Sequence, residues 1–317
     1  MRIFVAEYAV VNNSARFIEQ GMMMLDTLVA SFSRSGYTVY YPTAGTRLSC
    51  GHALPSRSFF KSLAFSKNCD AGMVIAPDEL LKEATEVLGE NTCNLGSSPG
   101  AVHICADKLA CTRMLQQHNL PVPCTVINCV TPGNWVVKPR WGCGSERINR
   151  VNVKNIQKIP NDAVATEYIE GEHISVSLVA SNSRVLPLTI NRQIIHHNRG
   201  SITYHGNQTP FEVENKEEIL GIASKAVKIL GCRGYAGVDI INSDQPCIVD
   251  VNPRATTSIA PVSQVLTREI AELILQAKKD ILPSKIDTIG SAEIILSSIA
   301  SAIENQELFS ALDCFAT

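Results

Sequence analysis

The segment GYAGVDIINSDQPCIVDVN, ending at Asn252, constrains this chain more than any other. It reads as two apolar strands joined by an Asn-Ser-Asp turn. Side chains alternate across a strand, so Asp250 and Asn252 share one face, and Arg254 joins them if the chain stays extended. Pro253 offers no N–H to a ladder and biases Asn252 to extended backbone, so the strand should end there. Antiparallel pairing can bring Asp239 beside Asp250 and Asn252. Adjacent carboxylates repel unless a cation lies between them, and hard oxygen ligands of this kind suit Mg²⁺ completed by phosphates and water. A polar strand end running into a turn is the plain alternative, and the rest of the chain has to decide.

Two further stretches carry chemistry. In WVVKPRWGCGSERI an apolar strand delivers Lys138 to a loop containing Gly142 and Gly144. Backbone N–H groups of such a loop can face phosphate oxygens while the lysine supplies charge, although no Walker pattern is present and a plain glycine turn would look alike. Cys143 at its tip has no base nearby in sequence and reads as an incidental small residue. In VATEYIEGEHISVSLV two strands flank a break rich in carboxylates, Glu167, Glu170 and Glu172. The break is either a solvated turn or a place where backbone groups meet an adenine edge and a carboxylate meets ribose hydroxyls.

Around these stretches the pattern changes once. Up to about residue 100, strands such as MRIFVAEYA, YTVYYP and AGMVIAP alternate with helical periods, notably FIEQGMMMLDTLVASFSRSG and a helix from Asp78. This predicts an α/β lobe with a mainly parallel sheet. From Cys124 onward strands and turns dominate, interrupted by a helix over EEILGIASKAVKILG and followed by a helix in REIAELILQAK and an Ala/Ser-rich helical stretch from about Ser291. At 317 residues with 45% hydrophobic content, the chain can bury two or three lobes. A net charge of -2 gives no electrostatic case for nucleic acid or an anionic membrane as main partner. No apolar run of spanning length and no signal-peptide pattern occur, so a cytoplasmic protein is expected. The 11 cysteines form no CxxC pair, which favours mostly buried, reduced thiols.

The order of lysine, glycine loop, acidic hinge, Asp and Asp-x-Asn-Pro-Arg, together with ADKLACTRMLQQHNLPVP upstream, resembles the ATP-grasp superfamily of carboxylate–amine ligases. The resemblance implies a mixed α/β and α+β fold, with an N-terminal α/β lobe over 1–100, a central subdomain over 101–168 and a C-terminal subdomain over 169–317. It implies ATP and Mg²⁺, with Mn²⁺ as a substitute. Nucleotide contacts would come from Lys108, Lys138, Gly142, Gly144, Ser145, Glu167, Ile169 and Glu172. Metal ligands would be Asp239, Asp250 and Asn252, while Arg254 and Lys138 would act on the reacting phosphate. One departure is Asp250, where many members carry Glu.

FVAEYA, IEQGMMML, MVIAPDELL and NPRATTS further resemble tyramine–glutamate ligases of methanofuran biosynthesis and their relatives. That implies small-molecule partners, a glutamate γ-carboxylate and an aromatic amine, joined through an acylphosphate. Related ligases are often homo-oligomers. Glu7, at the end of the first strand, and Arg192 and Arg199 in the middle stretch are candidate substrate contacts. His196, His197 and His205 complete no familiar metal spacing and read as pocket lining or surface. A ligase for another amino-acid and amine pair, or a nucleotide-binding protein without catalysis, remain alternatives.

Overall fold

A parallel sheet forms first along the chain because its strands are apolar on both faces, as a sheet covered by helices requires. In the computed structural model, which describes residues 1–142, 148–198 and 200–297, this sheet comprises β1 (Arg2–Glu7), β2 (Thr38–Thr43), β3 (His52–Pro55), β4 (Ala71–Ile75) and β5 (Cys93–Asn94) in the order β3-β2-β1-β4-β5. Between them run the helices α1 (Tyr8–Asn12), α2 (Ile18–Arg34), α3 (Phe59–Leu63) and α4 (Asp78–Asn91). Helix α2 buries Met24, Leu25, Leu28, Val29 and Phe32 at three- and four-residue steps against one face of the sheet. Helices α3 and α4 cover the other face. Two helices then lead out of this layer. Pro99 and the Ser98 cap open α5 (Pro99–Ala106), and Asp107 caps α6 (Lys108–Gln117).

The remaining strands build a second, largely antiparallel sheet. They are β6 (Thr125–Val126), β7 (Cys129–Val130), β8 (Gly133–Pro139), β9 (Asn149–Val153), β10 (Gln157–Lys158), β11 (Ala163–Glu167), β12 (Glu172–Ala180), β13 (Val185–Asn198) and β14 (Ser201–Thr209). After helix α7 (Lys216–Ile229) come β15 (Gly234–Asn242) and β16 (Cys247–Asn252), then α8 (Ile259–Val265), α9 (Ile270–Lys278) and β17 (Ala292–Ile295). Sheet order is β16-β15-β12-β13-β14-β9-β8-β11-β6, with β17 beside β14 and the β7–β10 pair separate. Val130, Trp135, Val153, Ile159 and Ala165 form a small core of their own between β7 and β11. Helices α6 and α7 pack against β12, β15 and β16. Helices α8 and α9 share one core with α2 and the parallel sheet, so segments more than 200 residues apart are packed together. That joint is reinforced by Glu269, which receives Arg34 Nε at 2.6 Å and Ser31 Oγ at 2.7 Å.

The helical stretch expected from about Ser291 is corrected: residues 292–295 are strand β17, and the residues from 298 onward lie outside the described part. Among the described residues β14 registers with β9 at Ser201, which leaves its edge at residues 206–209 to β17. Unpaired backbone groups there outweigh the helical propensity of Ala and Ser. Five of the nine described cysteines are buried, and all nine are free thiols. Among the described residues no helix is long and apolar enough to cross a membrane.

Gly206 makes the β14–β17 approach possible, since it sits at φ 149° and an added Cβ would lie 2.0 Å from the Ile294 carbonyl oxygen. Gly206→Ala should therefore destabilise the protein by about 1–3 kcal/mol and open residues 289–297 to protease. Thermal denaturation with limited proteolysis checks both effects; an unchanged cleavage pattern would argue that β17 does not depend on this glycine.

Candidate active site

The edge of the parallel sheet, the hairpin of β15 and β16, and the strands β8, β11, β13 and β14 converge on a cavity of about 310 Å³. In its floor, the hairpin register pairs Asp239 with Asp250 and Gly237 with Asn252, and slips immediately after Asp239. The two carboxylates are thus directly opposed in a desolvated place. Burial first, and Asp250 second, push the Asp239 carboxyl up to about 7. The Lys138 charge offsets part of this, and so does Gln193, whose Nε2 donates to Asp239 Oδ1 at 3.0 Å; Asn252 Nδ2 donates to Oδ2 at 3.4 Å. A divalent cation bound here would use these two carboxylates and the Asn252 carboxamide, turned to present its oxygen. Among the described residues no three His, Cys, Asp or Glu side chains form a complete cage, which leaves the rest of the shell to phosphates and water.

Cations surround this floor. Lys138 on β8 is 8% exposed and donates from Nζ to the Val249 carbonyl at 3.0 Å. Its burial lowers the ammonium pKa, with the Asp250 charge acting in the opposite sense. Lys108, the first residue of α6, donates to the Gly142 carbonyl at 2.5 Å. Residue 107 fixes both, because Asp107 caps α6 while receiving Arg140 through Nε at 2.7 Å and Nη2 at 2.5 Å. Arg254 reaches across to the parallel-sheet layer, where Asp78 Oδ1 at the start of α4 accepts from Nη2 at 3.2 Å. Burial raises the Asp78 pKa and Arg254 opposes that rise.

Glu167, Tyr168 and Ile169 line the cavity where β11 ends, and the Arg150 guanidinium lies 3.7 Å from the Tyr168 ring centroid. Strand alternation separates other candidates from it. His173, Ser175, Gln193 and Ile195 face the cavity, whereas Glu172 and Arg192 fall on the opposite sense of their strands. Arg192 Nε contacts Glu172 Oε1 at 3.2 Å and the guanidinium lies over Phe211. Arg192 thus holds Glu172, and neither is among the residues that line the cavity. His205 lines the cavity, with His196 stacked on it at 3.9 Å. Gly142 lines it too, while Cys143, Gly144, Ser145 and Arg199 lie outside the described residues.

Sequence reasoning missed Asp107, Asp78, Arg140, Arg16, Tyr204 and Asn207. Asp107 before Lys108 was legible as a helix cap, and Arg16 follows a parallel strand's carboxyl end. The others signal nothing locally. Tyr204 Oη receives Asn207 Nδ2 at 2.6 Å from its own strand and Thr257 Oγ1 at 3.1 Å from 53 residues away.

A family described as an ATP-grasp domain matches residues 105–258. A tyramine–L-glutamate ligase from Methanocaldococcus fervens is 30% identical over 70% of this chain and 71% of its own length. A tyramine–L-glutamate ligase from Methanocaldococcus jannaschii is 28% identical over 86% of this chain and 88% of its own. The crystal structure of an Archaeoglobus fulgidus protein, provisionally described as an ATP-grasp superfamily member, superposes with a TM-score of 0.77 at 27% identity over 93% of this chain and 92% of that one.

Because the folded-state pKa of Asp239 is raised, folding holds a proton that the unfolded chain releases, and stability from this group falls as pH rises from about 4 towards 7. Asp239→Asn should therefore stabilise the metal-free protein more at pH 8 than at pH 5, each pKa unit being worth about 1.4 kcal/mol. Denaturation midpoints of both proteins at the two pH values test this; equal differences would mean that Asp239 is not the strained acid.

Proposed function

Since this chain belongs to the ATP-grasp family and is an ATP-dependent C–N ligase, we propose that it joins the γ-carboxylate of glutamate to tyramine or a related aromatic amine, releasing ADP and phosphate. What carries this reading is one cavity that unites the Asp239–Asp250 pair, the buried Lys138 and Arg254 with an apolar wall of Tyr8, Phe17 and Met24 from the N-terminal layer. The 30% identity with a tyramine–L-glutamate ligase supports the choice of substrates.

A carboxylate is a poor acyl donor until its oxygen has attacked the γ-phosphorus of ATP, giving an acylphosphate that an amine can capture. That chemistry asks the protein for charge neutralisation and positioning more than for covalent work. In this reading Lys138 and Lys108 hold phosphate oxygens, and the hinge from Glu167 to Ile169 holds the adenine. Arg254, kept in place by Asp78, faces the reacting phosphate or the carboxylate. Asp239, Asp250 and Asn252 hold Mg²⁺, with Mn²⁺ as a substitute, which when bound would neutralise charge on the phosphates. The glycine loop after Lys138 covers the phosphates and excludes water from the acylphosphate. Residues 1–100 then present the amine side, 101–168 cover the nucleotide and 169–317 carry the metal ligands.

With ATP, Mg²⁺ and L-glutamate, tyramine should stimulate phosphate release and yield a glutamyl–aromatic amide of the corresponding mass. Turnover with aliphatic amines alone would keep the ligase and replace the aromatic substrate, whereas no phosphate release above background with any amine would overturn the ligase reading. Lys138→Ala should raise the KM for ATP about tenfold or more, as loss of a charge-assisted bond of roughly 1.5–3 kcal/mol implies. An unchanged KM would remove Lys138 from the nucleotide site.

A further inference from the structure

Glu7 is a buried carboxylate of this cavity that neither the phosphate contacts nor the metal ligands account for. It ends β1 at the carboxyl edge of the parallel sheet, where ligands of such sheets collect, and is only 4% exposed. Helix α2 meets it at Gly21. A Cβ at residue 21 would stand 2.3 Å from Glu7 Oε2, 2.6 Å from Cδ and 2.9 Å from Oε1. The carboxylate therefore occupies the volume that any other residue at position 21 would fill.

Both choices are locally unfavourable. Glycine inside a helix costs about 0.8–1 kcal/mol relative to alanine, and burying a carboxylate costs more unless it is paired. The local structural return is an N-cap: Val10 N–H donates to Oε2 at 2.7 Å at the start of the five-residue α1. Ser or Asn would cap equally well without the buried charge. Two destabilising choices that meet at one point of a cavity wall mark a group retained for what enters the cavity. Beside it Tyr8, Phe17 and Met24 supply apolar surface for the body of a ligand. Burial also pushes the Glu7 carboxyl up to about 7, although the Val10 and Ala9 N–H groups and Arg254 act in the opposite sense, so it can both hold and release a proton near neutrality.

Resting on the ligase reading above, we propose that Glu7 receives the substrate amine, binding the incoming ammonium and taking the proton that must leave before the nitrogen can attack. The freed lone pair forms the C–N bond at the acylphosphate carbonyl carbon. The C–O bond to the phosphoryl group breaks with its electron pair, and the departing phosphate carries away the second N–H proton. Glu7 returns the first proton to solvent when the amide leaves.

Hydroxylamine separates this role from the earlier one, because it is unprotonated at neutral pH and traps acylphosphates as hydroxamates without a base. Glu7→Gln retains an oxygen to accept from Val10 N–H and is close in shape. It should lower amide formation from the amine substrate by about 100-fold or more while hydroxamate formation persists. Gly21→Ala, which displaces the same carboxylate, should show the same separation. If amide and hydroxamate fall together in both variants, Glu7 serves the fold or the carboxylate substrate and the proposal is overturned. It is equally overturned if neither falls. Should the wild-type protein form neither product with any carboxylate offered, the ligase reading itself fails, an outcome distinct from a normal wild type with unaffected variants.

Discussion

The rest of the site depends on the forced opposition of Asp239 and Asp250 across the β15–β16 hairpin. Backbone register, and not side-chain preference, sets the pair together, and burial makes the arrangement costly. Everything nearby acts on that cost: amide donors from Gln193 and Asn252, the charge of Lys138 behind the hairpin, and space for phosphates and a cation above. A buried like-charge pair that is incompletely neutralised by its own protein is a ready receptor for the missing positive charge.

The cavity exists because separate layers are tied across it. Arg254 leaves the hairpin and finds Asp78 on the parallel-sheet side. Lys108, at the head of α6, holds the carbonyl that follows β8. From the far end of the chain, β17 pairs with β14 and Ser297 bonds Glu19 on α2, with Oγ to Oε2 at 2.7 Å. Leu296 and Ser297 thereby become part of the cavity wall. Charged groups thus position the reacting end, while backbone pairing and apolar packing shape the other.

Legibility in the sequence followed the range of the interaction. Alternation within one strand placed Asp250 and Asn252 together, and a hairpin only four residues long between strands brought Asp239 to them. The acidic hinge was read as a strand break, which it is. Yet the same alternation argument, applied to β12 and β13, would have separated His173 and Gln193 from Glu172 and Arg192 had their cavity-facing sense been known. A strand's period says which residues share a face but not which face meets the ligand. The stretch from about Ser291 was read as helix by propensity, whereas residues 292–295 pair with the open edge of β14.

By itself, the sequence determined the alternation of helix and parallel strand at the start, the strand-and-turn stretch that follows, and the lysine, hinge and hairpin residues that carry the family resemblance. These rest on short-range periodicity, capping and turn chemistry, which one segment encodes alone. Only the tertiary structure decided that Asp78 holds Arg254, that Arg192 belongs to Glu172, that Gly21 makes room for Glu7, and that Leu296 and Ser297 join the cavity wall. The Arg192–Glu172 pair comes from the β12–β13 register, and the others from packing between layers, where the partner is not a near neighbour in sequence.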